Sequence, residues 1–489
     1  MGVQRPTMAL VLLMLGTALF GQAAAPTEPQ SAESQGAATQ TAAQDNLITL
    51  TLEQVLARAM ANQPLILQAE AAVQAARARV GQAQSAYYPF VSGTASYNRL
   101  ADESFSIATL LPAGVSLAGL GVPASLAPLF SSPLSLVPVN NWDFSLGLNQ
   151  EIYQIGKRTV QVKQAENGVS AARIGVEQIR MSLAFQAAQG FYTVLFLQEQ
   201  LKALYEQFGN LQEHLSATQV KVQTGSATRY DVLSTGVRIS ALQSQLIEAE
   251  NQLHKQSIAL KQLVGMEESA DFRLSGGFAS SADDHSDEQS HIASAMAHRP
   301  DVLQAVESEG AAELNRSMAT MGAWPTISAH ASMGYKTGIL PDINVPAFTW
   351  VAGVQVSVPI FQGFLMARLG EEADKKLLAS RENTLAVKRN VTTQVLQALQ
   401  DVEANRRQVV TAQDQLDQAR EMLQVVKLQY DLGMLTNLEY LDAQSALERA
   451  QLGSLQAQYR AVLSEFALKQ AAGAAIWTSA SATPEQSPR

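Results

Sequence analysis

No cysteine occurs among the 489 residues, which excludes disulfide staples, a cysteine nucleophile and a lipid anchor on an N-terminal cysteine. Aromatic residues are sparse, 6% of the chain, and Ala, Gln and Leu dominate, a composition suited to long helices rather than to a compact globule. No segment beyond the N-terminus approaches the roughly 20 apolar residues of a membrane-spanning helix, so any passage through lipid has to use strands. Neither an HExxH motif nor a phosphate-cradling glycine loop is present; nothing points to an enzyme and no cofactor is called for. His285 and His291, in and beside the acidic stretch Asp283–Asp287, are read as solvated linker residues rather than metal ligands. Basic residues are outnumbered 34 to 44, and a net charge of −10 disfavours a nucleic-acid partner.

What is present begins with an address. Arg5 precedes an apolar run from Ala9 to Phe20, and Ala23-Ala24-Ala25 precede Pro26, the form of an export signal spanning residues 1–25. Residues 26–46 hold little to bury and read as a disordered leader.

The rest of the chain is written twice. Ala57, Ala59, Met60, Ala61, Pro64, Leu67, Gln68 and Ala69 recur as Ala293, Ala295, Met296, Ala297, Pro300, Leu303, Gln304 and Ala305, with Pro64 and Pro300 standing 236 positions apart. Further on, Gly225 and Thr228 recur as Gly433 and Thr436, only 208 positions apart. The first copy is therefore longer in between, at the stretch from about Leu100 to Asn141, a loop rich in Leu, Pro, Ser and Gly. This is a duplicated unit with one elastic loop. The first repeat covers 47–266, a linker or small belt element 267–290, the second repeat 291–472, and a flexible tail 473–489.

Each copy opens with a helix, signalled by Thr51 with Gln54 three residues on and running past Pro64 to about Tyr87. The period then changes to two. Strands are predicted at about 89–100 and 141–153, and again at about 325–337 and 348–360. Trp142, Phe144, Leu146 and Leu148 share one face and Asp143, Ser145, Gly147 and Asn149 the other. Runs of about ten residues fit tilted membrane strands, and Tyr97, Trp142, Phe144, Tyr335, Phe348 and Trp350 stand where interfacial aromatics would. A soluble antiparallel sheet with one wet face is the alternative. After each strand pair comes a proline-free helix, from about Lys157 in the first copy, on the order of 100 Å long at 1.5 Å per residue. Its seam, Leu201, Leu204, Phe208, Leu211, Leu215, Thr218 and Val222, maps onto Val409, Ala412, Leu416, Ala419, Leu423, Val426 and Tyr430, the spacing of coiled-coil packing. A turn at Gly225, and its twin at Gly433, reverses the chain into a second helix. The fold class is α+β, mostly α, with duplicated long helical hairpins and four strands.

Four strands cannot close a barrel, for which about eight is the practical minimum, and an open sheet edge cannot be left in lipid. If the strands enter a membrane, the chain assembles with copies of itself around a wet lumen that the helices prolong. A periplasmic coiled-coil scaffold without transport is the competing reading; it leaves the amphipathic strands unexplained.

Three sets of residues carry a resemblance. They are the duplicated Asn-x-Pro helix start; the strand ending Val358-Pro359-Ile360-Phe361-Gln362-Gly363, with its weaker twin Glu151 to Gly156; and the two tips, Thr224 to Leu233 and Leu432 to Ala443. In order and spacing, over residues 47–472, the chain resembles the TolC-type outer-membrane efflux channels, the outer membrane factors. The resemblance implies a homotrimer whose twelve strands form one barrel in the bacterial outer membrane and whose helices form one periplasmic α-barrel. A periplasmic adaptor and an inner-membrane transporter are its implied partners, in efflux or type I secretion. It also implies adaptor docking on Gly225, Ser226, Ala227 and Thr228 and on Gly433, Met434, Leu435 and Thr436. A constriction of Glu439, Asp442, Asp231 and Tyr430 is implied at the channel entrance. Asp231 and Tyr430 match an acid and a tyrosine that latch that entrance, whereas Leu435 stands in place of the family's arginine. Closure then rests on hydrogen bonds without that ion pair, or on Arg229 from the other tip.

Overall fold

Thr51 caps the first helix through a reciprocal pair of bonds: its backbone N–H donates to Gln54 Oε1 at 3.1 Å, and the Gln54 N–H donates to Thr51 Oγ1 at 3.4 Å. The helix beyond is broken in two. Proline has no N–H and disfavours helical backbone in the residue before it, so Gln63 is extended, with φ −77° and ψ 121°, and a second helix starts at Pro64. The same break separates the twin helices at Arg299.

The computed structural model describes residues 48–100, 139–154, 156–278, 287–338 and 345–477, with isolated positions between 115 and 125. The predicted export signal and leader, most of the Leu100–Asn141 loop, His285 and the last part of the tail lie outside the described residues. In chain order the elements are β1 (Ile48–Leu50), α1 (Leu52–Asn62), α2 (Pro64–Ser85), β2 (Phe90–Arg99), β3 (Asn140–Gln154), α3 (Lys157–Gln223) and α4 (Arg229–Val264). They continue with β4 (Phe272–Leu274), α5 (Glu288–His298), α6 (Pro300–Met321), β5 (Thr326–Lys336), β6 (Ala347–Ser357), α7 (Leu365–Asp431) and α8 (Asn437–Ala471).

Helices α3 and α7 are both 67 residues long and contain no proline, which makes each about 100 Å at 1.5 Å per residue. α3 pairs with α4 and α7 with α8, and the two hairpins pack on each other. Their seams bury Leu204, Leu211 and Thr218 in the first copy and Ala412, Leu416 and Ala419 in the second.

One core sits midway, where α1 and the middle of α3 meet α4, α8 and the parallel pair β1–β4; Phe191, Val194, Leu50 and Val264 are almost fully enclosed there. Phe272–Leu274, inside the span read as a linker or small belt element, is a strand on β1. One expectation shifts here. The start of the span read as a flexible tail is packed: Ile476 is buried in this core and Trp477 lies against it, because an apolar pair gains by covering the core rather than facing water.

The sheet order is β2-β3-β5-β6, antiparallel throughout. One face is apolar and open. Phe144 lies opposite Tyr335, which lies opposite Phe348; Leu146 lies opposite Met333, which lies opposite Trp350. Trp350 is 72% exposed, Phe348 57% and Leu146 53%. Tyr97 and Trp142 pack at 4.4 Å between ring centroids, and Tyr335 and Phe348 at 5.6 Å, so all six predicted interfacial aromatics gather at one end of the sheet. The other face is polar: Ser92, Gly147 and Ser332 align, as do Thr94, Ser145 and Gly334, and Lys336 pairs with Asp143 at 3.7 Å. A soluble sheet buries its apolar face; among the described residues nothing covers this one, which is the pattern of a sheet in contact with lipid. Gly334 is required for the pairing, since a Cβ there would meet the Phe144 carbonyl oxygen of β3.

Candidate functional site

The predicted functional residues cluster at the far ends of the long helices. α3 ends in a Schellman turn: Gly225 takes the left-handed conformation (φ 78°), its N–H bonds the Val222 carbonyl at 3.1 Å, and the Ser226 N–H bonds the Lys221 carbonyl at 2.8 Å. α7 ends identically at Gly433 (φ 73°), with Gly433 N–H to the Tyr430 carbonyl at 3.0 Å and Met434 N–H to the Gln429 carbonyl at 2.9 Å. Any residue with a Cβ is strained at these two positions. Gly225, Ser226, Thr228, Gly433, Met434 and Thr436 are exposed, and Ala227 and Leu435 half-buried.

Both tips are then closed by the same device. Thr228 N–H and Oγ1 donate to Asp231 Oδ2 at 2.8 and 2.7 Å, and the Asp231 N–H returns to Thr228 Oγ1 at 3.3 Å. At the second tip Thr436 N–H and Oγ1 donate to Glu439 Oε2 at 2.7 and 2.8 Å, and the Glu439 N–H returns at 3.4 Å. Two donors on one carboxylate, the Thr436 backbone N–H first and its hydroxyl second, hold the Glu439 carboxyl below the ordinary glutamate range. Both acids thus complete capping boxes, as third residues of helices whose N-caps are Thr228 and Thr436. The signal was in the sequence: Thr-x-x-acid stands at both tips, as Thr-x-x-Gln does at Thr51.

Asp442, one turn beyond Glu439, is paired. Arg238 of α4 reaches its Oδ1 at 3.3 Å and the Leu441 carbonyl at 3.4 Å. Tyr430 and Asp231 are not joined by a hydrogen bond within the chain. Tyr430 instead stacks on Tyr440 at 5.2 Å, packs on His214 at 5.4 Å, and carries the Lys221 ammonium 4.0 Å over its ring. Arg229 is exposed.

Two residues that pattern reading passed over lie at the centre. His214 is buried, stacked on Tyr440 at 4.3 Å, with Nε2 2.7 Å from Asn437 Oδ1. Asn437, also buried, donates through Nδ2 to the Asp231 carbonyl (3.3 Å), Ser234 Oγ (3.3 Å) and Thr235 Oγ1 (3.4 Å). Burial away from water pushes the His214 imidazole below its ordinary value, against the pull of Asn437. The neutral ring then donates from Nε2–H to Asn437 Oδ1.

A duplicated chain with an outward-facing apolar sheet at one end and two capped helical hairpins at the other has the architecture of a protomer of an outer-membrane channel. The chain belongs to the outer membrane efflux protein family, whose profile matches residues 55–266 and 291–474. It is an outer membrane factor. It is similar to the outer membrane protein TolC of Vibrio cholerae, 24% identical over 430 residues that cover 86% of this chain and 90% of that one. It is also similar to the outer membrane efflux protein BepC of Brucella suis, 24% identical over 466 residues, 95% of this chain and 89% of that one. Among solved structures, the CmeC outer membrane channel of Campylobacter jejuni superposes with a TM-score of 0.68 at 18% identity, covering 92% of this chain and 94% of that one, a likeness of fold.

Proposed function

We propose that three copies of this chain form a passive exit duct through the outer membrane, serving a tripartite efflux or type I secretion system. The observation that carries this is the four-stranded sheet with its apolar face uncovered and its two edges, β2 and β6, unpaired among the described residues. Rows of free N–H and C=O groups are not tolerated in lipid, so copies must pair edge to edge; three chains give twelve strands and a polar lumen. The long helices prolong that lumen into the periplasm as an α-barrel. Each repeat, 47–266 and 291–472, supplies one pair of strands and one helical hairpin to the duct, the segment 1–25 directs export, and attachment to the membrane is by strands rather than by a lipid-modified cysteine.

The two exposed tips, Gly225 to Thr228 and Gly433 to Thr436, are the surface for a periplasmic adaptor, which links the duct to an inner-membrane transporter. Their shape is fixed by Schellman turns and capping boxes, which suits a docking surface that must be presented in advance. Glu439 and Asp442, with Asp231 and Tyr430 behind them, form the constriction at the entrance. The cargo is chosen by the transporter, since a duct of this kind reads only charge and size.

Extraction, sizing and reconstitution test this together. The protein is expected to need detergent for release from membranes, to run as a three-chain assembly, and to conduct ions across a planar bilayer. A monomer that stays soluble without detergent would refute it.

A further inference from the structure

We propose that the entrance is held shut within each chain by a clasp between His214 and Asn437, which bolts the second tip to both helices of the first hairpin. The inference rests on the channel reading above and adds the residues that hold its closed state.

Asn437 is the first residue of α8, and its side chain reaches two elements at once. Its oxygen takes the His214 ring from α3, and its nitrogen enters the first turn of α4 at the Asp231 carbonyl, Ser234 and Thr235. Thr235 is fully buried, and its hydroxyl also donates to the Asp231 carbonyl at 2.9 Å. Moving the second hairpin away from the first breaks every one of the Asn437 bonds. The carboxylate of Asp231 is committed to Thr228 and contributes nothing to that link.

The duplication gives a second, independent observation. At the 208-residue displacement that matches the tips, His214 corresponds to Met422, Asn437 to Arg229, Tyr430 to Val222 and Tyr440 to Val232. None of the four junction residues has its like in the other copy. The hairpins are alike in length, turns and caps, and they differ in kind at this junction. A purely structural coiled-coil seam has no use for that difference, because an apolar pair packs as well.

The junction is also incompletely satisfied. Gln444 lines the same cleft as His214, Lys221, Tyr430 and Tyr440, and its Oε1 is buried with no partner. Separation of the hairpins returns that oxygen to water, so burial there favours opening and the clasp opposes it.

Single-channel recording in planar bilayers tests the clasp, with the wild-type assembly as reference. Asn437→Ala is expected to raise the open-to-closed ratio on the order of tenfold, and His214→Phe, which keeps a ring but loses the bond, to do the same. Because the chain has no cysteine of its own, the pair His214→Cys with Asn437→Cys can be joined by a short bis-thiosulfonate. Joined channels are expected to stay closed and to reopen on reduction. Unchanged gating in Asn437→Ala and His214→Phe, or joined channels that conduct freely, would overturn the clasp. So would channels opened by Tyr430→Phe but still closed in Asn437→Ala, which returns the latch to the tyrosine. A wild-type protein that makes no channels would instead sink the channel reading itself.

Discussion

Arg238 offers the sharpest test of the entrance chemistry. Two carboxylates, Glu439 and Asp442, stand against one guanidinium held 3.3 Å from Asp442, which leaves one net negative charge per chain at this level. A three-chain entrance then carries three. For an ion on the order of 10 Å from each group, at 0.1 M salt with a screening length of about 10 Å, one unit charge raises local cation concentration by about 1.3-fold and lowers anions equally. Three charges therefore give a cation preference of about fivefold. Arg238→Gln doubles the charge and raises the preference to about 20-fold. Glu439→Gln or Asp442→Asn alone cancels it. The two together leave Arg238 unopposed and invert the channel to anion preference, about fivefold. Reversal potentials across a salt gradient read each value directly. If Arg238→Gln matches wild type, or the double variant stays cation-selective, these groups do not face the permeating ion.

Three further outcomes follow from the geometry. Thr436→Ala removes the second tip's cap at a cost of about 1 kcal/mol, so hydrogen exchange over 437–441 is expected to quicken roughly fivefold; unchanged exchange would mean the tip is held by other bonds. His214 is kept neutral in the fold, with Lys221 and Glu213 on α3, Asp431 on α7 and Asp231 on α4 around it. A folded value below the unfolded one means the stabilisation is intact above about pH 6.5 and is lost as pH falls through the folded value; exchange at the junction should rise on mild acidification and lose that dependence in His214→Gln. Phe191→Ala, at a position 1% exposed in the central core, is expected to cost about 3–5 kcal/mol, seen as a lowered unfolding midpoint in detergent, and a smaller loss would mean the core collapses around the gap.

The helices and strands were legible because their signals are local and come twice. Pro64 and Pro300 mark matching breaks, Gly225 and Gly433 matching turns, and the alternation from Trp142 to Leu148 names its own outward face. The junction was not legible, for a physical reason. A seam search follows apolar letters, so it settled on Leu215 and passed His214, which is the more deeply buried of the two. Asn437 reads as an ordinary first-turn residue, and its four partners lie about 200 positions away in sequence. The local partner of Asp231 and Glu439 was legible too, since the threonine three residues before each supplies it.

The unpaired margins of β2 and β6 bear on how the protein comes to be made. In the three-chain duct proposed above, a lone chain presents strand borders that neither water-soluble folding nor bilayer insertion can leave bare for long, so assembly and insertion become one event whose rate climbs steeply with the supply of fresh chains. One defective border in a mixed population then spoils every ring it joins, and a cell making both forms should suffer well beyond the defective share.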